Sequence, residues 1–294
     1  VGALTGPHPV DYKMEGNGSI VNNSATLAIH PKSAVLLVLI AMISAIIVGV
    51  VSSFYMNALV AATVGEIACY LAPTLIVVLV RPERRATLFK LDRLRDWRLV
   101  LLIPAAAVML NFSCSVFDDF TNSIFPIPES FVSYIFKLLS ADSPVGLVYV
   151  ILAAAVLPAI AEEMLFRGVL LSSLIAKYDV WTGIVLSSLL FAFVHLNPWS
   201  FVSIFAIGTF FGYVTYKTGT FWAGSLGHLA TNIAGVVVVN TKESTDYMSI
   251  VSGCDWYVVI AMTVGSVAGL AAIARICRNK KCAVEQSPQN AQGS

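Results

Sequence analysis

The sequence predicts an all-α polytopic membrane protein, a bundle of about eight transmembrane helices. Three observations lead there. Of 294 residues, 57% are hydrophobic and only 12% are charged, against roughly 25% charge in ordinary soluble domains. The mean hydropathy is +0.82. The missing charge is concentrated: long stretches carry none, which is how a chain that crosses a membrane repeatedly is written.

Eight apolar stretches can be delimited, at about 33–54, 57–80, 99–116, 145–176, 180–196, 200–216, 220–240 and 256–276. A helix needs about 20 apolar residues to cross a ~30 Å hydrocarbon core. The fourth stretch exceeds that length and is expected to tilt or project. The fifth and sixth fall a little short, with a tight turn at Asn197-Pro198 between them. Residues 1–30, rich in Gly, Asn, Ser and Pro, read as a mobile polar tail. They show no short apolar core leading to a small-residue cleavage site. Residues 279–294 read as a polar C-terminal tail, leaving 31–278 as the transmembrane domain.

Lysine and arginine favour the cytoplasmic side. Arg81, Arg84, Arg85, Lys90, Arg93, Arg95 and Arg98 fall between the second and third stretches, and the C-terminal end holds Arg275, Arg278, Lys280 and Lys281. With eight crossings these share a side with Lys13, Lys32, Lys177 and Lys217, while the opposite loops carry mainly acids. Both termini are therefore expected in the cytoplasm. The net charge of +1 and the clustering of basic residues beside membrane spans give no sign of nucleic-acid binding. None of the five cysteines forms a CxxC pair, so neither a disulfide framework nor a zinc knuckle is indicated.

Ionisable groups inside a bilayer are costly and usually functional. The fourth stretch contains Glu162, Glu163 and Arg167, the fifth ends at His195, and the seventh carries His228 and Asn232. Glu66 in the second is a lone acid with no assigned role. Glu163 and Arg167 have the spacing and order of a helical ion pair. Glu162 is turned about 100° away, with no basic residue one turn on, and is left facing another helix.

Measured from Lys177, Asp179 and Lys217 at 1.5 Å per residue, Glu162 lies ~22 Å deep, His195 ~24 Å, His228 ~16 Å and Asn232 ~22 Å. The four can therefore meet at one level. Such a set suits peptide-bond hydrolysis. A carboxylate takes a proton from water, an imidazole helps to hold that water, and a His and an Asn four residues apart face the developing oxyanion. No GxSxG or HExxH occurs to support a serine nucleophile or a zincin. A packing ion pair at Glu163–Arg167 and interhelical hydrogen bonds at His228 and Asn232 are the structural alternatives.

Taken together, Glu162-Glu163-Met-Leu-Phe-Arg167 resembles the EExxxR motif of the CAAX-protease and bacteriocin-processing (Abi) family of intramembrane proteases. Phe191-Ala-Phe-Val-His195 resembles its FxxxH motif, and His228-Leu-Ala-Thr-Asn232 its HxxxN/D motif. The order matches, within a core of about residues 145–240. The resemblance, which extends to type II CAAX prenyl endopeptidases, implies an eight-helix bundle. In it Glu162 would be the general base, His195 its partner, and His228 with Asn232 the oxyanion-stabilising pair. Glu163, Arg167 and Phe191 would be supporting residues. It also implies a mechanism without cofactor. A zinc set of Glu162, His195 and His228 is the chemical alternative. The implied partners are the lipid bilayer and a peptide or membrane-associated protein substrate, of the CAAX or the leader/bacteriocin type. The competing functions are a non-catalytic interaction or immunity protein and a proton-coupled transporter.

Overall fold

The computed structural model describes residues 12–14, 20–22, 29–80, 94, 96–241 and 256–285; side chains are described within 29–278. Among the described residues there are nine helices, preceded by a short antiparallel pair, β1 (Tyr12–Met14) and β2 (Ile20–Asn22). The expected all-α membrane bundle is the architecture found. Eight of the helices fall on the eight apolar stretches. They are α1 (Pro31–Ser53), α2 (Ala58–Val80), α3 (Trp97–Ile124), α5 (Pro144–Lys177), α6 (Val180–Val194), α7 (Phe201–Thr218), α8 (Phe221–Thr241) and α9 (Trp256–Glu285). The ninth, α4 (Glu129–Leu139), is an 11-residue helix behind Pro126 and Pro128. It was not expected, because its apolar face is too short to stand out as a crossing.

Six helices are long and apolar enough to cross a membrane by length and composition; α6, with 15 residues, and α7 are not among them. α6 is apolar but too short, and α7 is long enough but less apolar. Their buried faces carry Gly183, Ser187, Ser188, Ser203, Gly208, Gly212 and Thr215, small or polar residues that pack against protein. α1 shows the opposite pattern. Pro31, Ala34, Val38 and Ala41 form one narrow buried stripe, while Leu36, Ile40, Ile43 and Ile47 remain exposed, as a lipid-facing helix requires.

Local chemistry sets several helix ends. Asn57 and Asp179 each accept backbone N–H groups at an N-terminus, and Ser143 with Pro144 starts α5. The α6–α7 turn is pinned by Trp199, whose indole N–H donates to the Phe125 carbonyl at 2.8 Å and whose ring stacks on Phe125. Within that turn Leu196 has φ +50°, a left-handed conformation uncommon for a branched side chain.

Most of the basic loop between α2 and α3 and of the acidic loop before α9, on which the orientation argument rests, lies outside the described residues. So do most of the N-terminal tail and residues 286–294.

The interior has two apolar clusters. One joins α1, α2, α5 and α6 through residues such as Val38, Tyr70, Phe166 and Phe191. The other joins α3, α7, α8 and α9 through Ile103, Phe211, Ala223 and Ile273. α5 is not a uniform helix. Over Ile151–Val156 and Met164–Leu170 its turns widen to π geometry, and Pro158, which lacks an N–H, follows the first of them. The stretch Leu157–Glu163 between these wide turns packs on α8 and on a third wide turn, Glu66–Leu71 of α2. Wide turns of this kind are frequent at functional sites.

Candidate active site

The two neighbouring glutamates of α5 face different partners. Glu163 is fully buried, and its Oε1 accepts from Arg167 Nη1 at 2.6 Å. Arg167 is buried too; its Nη2 donates to the Gly208 carbonyl of α7 at 2.9 Å. Its guanidinium lies 4.3 Å from the Phe191 ring centroid and 5.4 Å from that of Phe211. Such cation–π contacts strengthen once water is removed. Phe191 thus belongs to the housing of the charge, and Phe211 from the second cluster closes it from the other side.

The same Glu163 oxygen also takes a second hydrogen bond, from His228 Nδ1 of α8 at 3.1 Å. The His228 ring stacks on Phe211 (centroids 5.2 Å, 18°) and meets Phe191 edge-on at 5.7 Å. Because Arg167 holds Glu163 as an acceptor, the proton belongs on His228 Nδ1. Nε2 therefore has a free lone pair in the neutral ring and donates only from the imidazolium. Asn232, one turn further along α8, is half-buried and makes no side-chain hydrogen bond among the described residues.

Glu162 pairs differently. Its Oε2 lies 3.8 Å from His195 Nε2, with both side chains partly exposed at 13% and 29%. That separation is too long for a direct hydrogen bond and leaves the two groups facing each other at a partly exposed edge of the site. His195 Nδ1 donates to the Phe191 carbonyl at 2.7 Å, which leaves Nε2 as an acceptor towards Glu162. The His195 and Phe191 rings are 4.6 Å apart. The site thus has two Glu–His pairs, Glu162–His195 and Glu163–His228, on either side of Phe191. The alternative metal set of Glu162, His195 and His228 is not gathered. Among the described residues no three His, Cys, Asp or Glu side chains come together to hold a metal.

Other groups at the site were not visible from the motifs. The Gly208 carbonyl is an Arg167 ligand, though in the sequence Gly208 signals only close packing. Gly224 lies where an added Cβ would stand 2.5 Å from Glu163 Oε2 and 2.8 Å from Thr215 Oγ1. Gly224→Ala is therefore expected to push Glu163 off its partners. It should lower cleavage activity by about 10²-fold, the scale of a ~1 Å misplacement, while the protein still purifies as a folded species. Steady-state kinetics beside a thermal melt would show it, and wild-type activity in Gly224→Ala would contradict this account of the packing.

Residues 144–234 match the family model of Rce1-like type II CAAX prenyl endopeptidases. Over this core of 91 residues the chain is similar to the CAAX-protease family. That core spans α5 to the middle of α8 and contains all three motif segments. The match supports endopeptidase activity of an intramembrane, CAAX-protease type for a multi-pass membrane protein. No curated protein and no solved structure matched the chain.

Proposed function

We propose that the chain is an intramembrane endopeptidase that hydrolyses a peptide bond with water activated by Glu162 and His195. The observation that carries this reading is the 3.8 Å gap between Glu162 Oε2 and an acceptor nitrogen of His195. A water reaching this partly exposed pair gives one proton to Glu162, and its oxygen attacks the scissile carbonyl. The carbonyl π electrons move to the oxygen, which accepts from the Asn232 side-chain amide one turn from His228. As the intermediate collapses, the C–N bond breaks, and Glu162 returns the proton to the departing amine. Glu163 and Arg167 hold His228 and α7 in register.

The chemistry runs without a metal or other cofactor. Supporting this, the Glu162–His195 pair supplies a base and an acceptor nitrogen of its own. The substrate class is a prenylated CAAX-type protein, presented at the bilayer. The distribution of lysine and arginine supports both termini lying in the cytoplasm.

The test uses the purified protein in lipid with a farnesylated CAAX peptide, its unprenylated counterpart and an unrelated leader-type peptide. Cleavage of the farnesylated peptide, unchanged by EDTA or phenanthroline, is expected. Loss of activity to chelators with recovery on added zinc would overturn the cofactor-free mechanism. Preference for the leader-type peptide would overturn the substrate class. Cleavage of none would leave a membrane interaction protein as the better reading.

A further inference from the structure

Glu163 takes both of its hydrogen bonds, from Arg167 and from His228, on the one oxygen Oε1. Its second oxygen, Oε2, is sealed from solvent and has no hydrogen-bond partner among the described residues. Thr215 of α7 is fully buried, and its Oγ1 is in the same position. Both atoms face one point on α8. A Cβ added to Gly224 would stand 2.5 Å from Glu163 Oε2 and 2.8 Å from Thr215 Oγ1, so the two oxygens are no farther apart than those lengths combined. With no side chain there, Gly224 leaves a notch in which α5 and α7 present a carboxylate oxygen and a hydroxyl to each other.

The Thr215 hydroxyl is oriented unlike its neighbours. On the same helix, Thr209 and Thr218 donate to the carbonyls four residues back, Phe205 at 2.8 Å and Val214 at 2.7 Å, the common resort of a helical threonine. Thr215 makes no such bond to Phe211, so its proton is available to a partner off the helix. Buried polar atoms without partners are rare and ask for an explanation. Here a donor and an acceptor are left over at one notch, and each supplies what the other lacks. The last torsion of a glutamate is broad, and a small turn about it closes the remaining gap.

We propose that Thr215 is a positioning residue for the Glu163–His228 pair, its hydroxyl donating to Glu163 Oε2 across the Gly224 notch. The proposal rests on the reading of Glu163 as the group that orients His228. With both other donors on Oε1, the carboxylate plane can tip about that oxygen; a donor on Oε2 fixes the plane, and with it the direction of the His228 Nδ1–H bond. α7 then holds the ion pair of α5 at two places, through the Gly208 carbonyl on Arg167 and through Thr215 on Glu163. Thr215 touches no substrate and exchanges no proton with it.

The experiment compares wild type with Thr215→Val, Thr215→Ser and Glu163→Gln in lipid, by cleavage of the farnesylated CAAX peptide and by thermal melts. Valine keeps the shape and loses the hydroxyl; serine keeps the hydroxyl and loses a methyl group. Thr215→Val is expected to lower kcat about tenfold with KM changed less than about twofold, because the group it orients is misplaced while the substrate still binds. Thr215→Ser is expected to retain kcat within about threefold. A packing role would give the reverse order, with valine near wild type and serine impaired. Thr215→Val is also expected to melt below wild type, because a buried carboxylate oxygen loses its donor. A hydroxyl with no acceptor would give the opposite sign, since its removal lifts the cost of burying it.

A Thr215→Val protein that melts above wild type, or that keeps wild-type kcat, would overturn the proposal. Thr215→Ser as inactive as Thr215→Val would do the same. Wild-type kcat in Glu163→Gln would instead remove Glu163 as the group that orients His228, and with it the reading on which the proposal stands, while the melting temperature of Thr215→Val would still report the hydrogen bond.

Discussion

Glu162→Ala is expected to lower kcat/KM by about 10³-fold or more, within the range removed with a general base, and to leave the melting temperature almost unchanged. The two halves of that result come from one geometry. Glu162 has no direct hydrogen bond among the described residues and only the 3.8 Å approach to His195, so little of the fold depends on it. Its loss removes the carboxylate that takes the proton from the attacking water. Glu162→Gln, which keeps the shape and loses the basicity, should behave like Glu162→Ala. Steady-state cleavage measured beside thermal unfolding in detergent decides the matter. A Glu162→Gln enzyme within tenfold of wild type would sink the assignment.

Arg167→Met is expected to do the reverse, acting first on the fold. Arg167 is 1% exposed and Glu163 0%, and removing one partner of a buried ion pair typically costs 3–5 kcal/mol because the other charge is stranded. The Gly208 carbonyl loses its donor as well. Arg167→Lys should recover only part of the loss, since a point charge neither lies flat on Phe191 nor reaches both acceptors. Glu163→Gln combined with Arg167→Met removes both charges and should recover most of the stability. It should not recover activity, because His228 then lacks the carboxylate that orients it. Thermal melts of the four proteins, with cleavage rates for those that fold, test this. Activity returning with stability in the double variant would show that Glu163 serves packing alone.

Much of the bundle could be read from hydropathy, because a span of about 20 apolar residues has few other uses. α4 was not legible: 11 residues with one apolar face resemble an amphipathic loop. That α6 and α7 are short crossings was legible, but not the reason, since spacing alone does not show that their glycines and serines face protein rather than lipid. Helix geometry was enough to see that Glu162 and Glu163 point in different directions. It could not show that the buried one meets His228, 65 residues away. Spacing rules work within one helix. Contacts between helices depend on the rotation of each, and the wide turns in α2 and α5 alter that rotation with no sequence signal to announce them.

The left-handed backbone at Leu196 bears on how the site tolerates change. Glycine would occupy φ +50° without steric penalty, so the leucine gives up some stability immediately after His195. In return, a branched side chain has far fewer backbone states than glycine, and the last residue of α6 is held by a joint with little freedom to swing. Global robustness and a fixed imidazole therefore pull in opposite directions at this position. A variant chosen only for a higher melting point would be drawn towards loosening the group that faces Glu162.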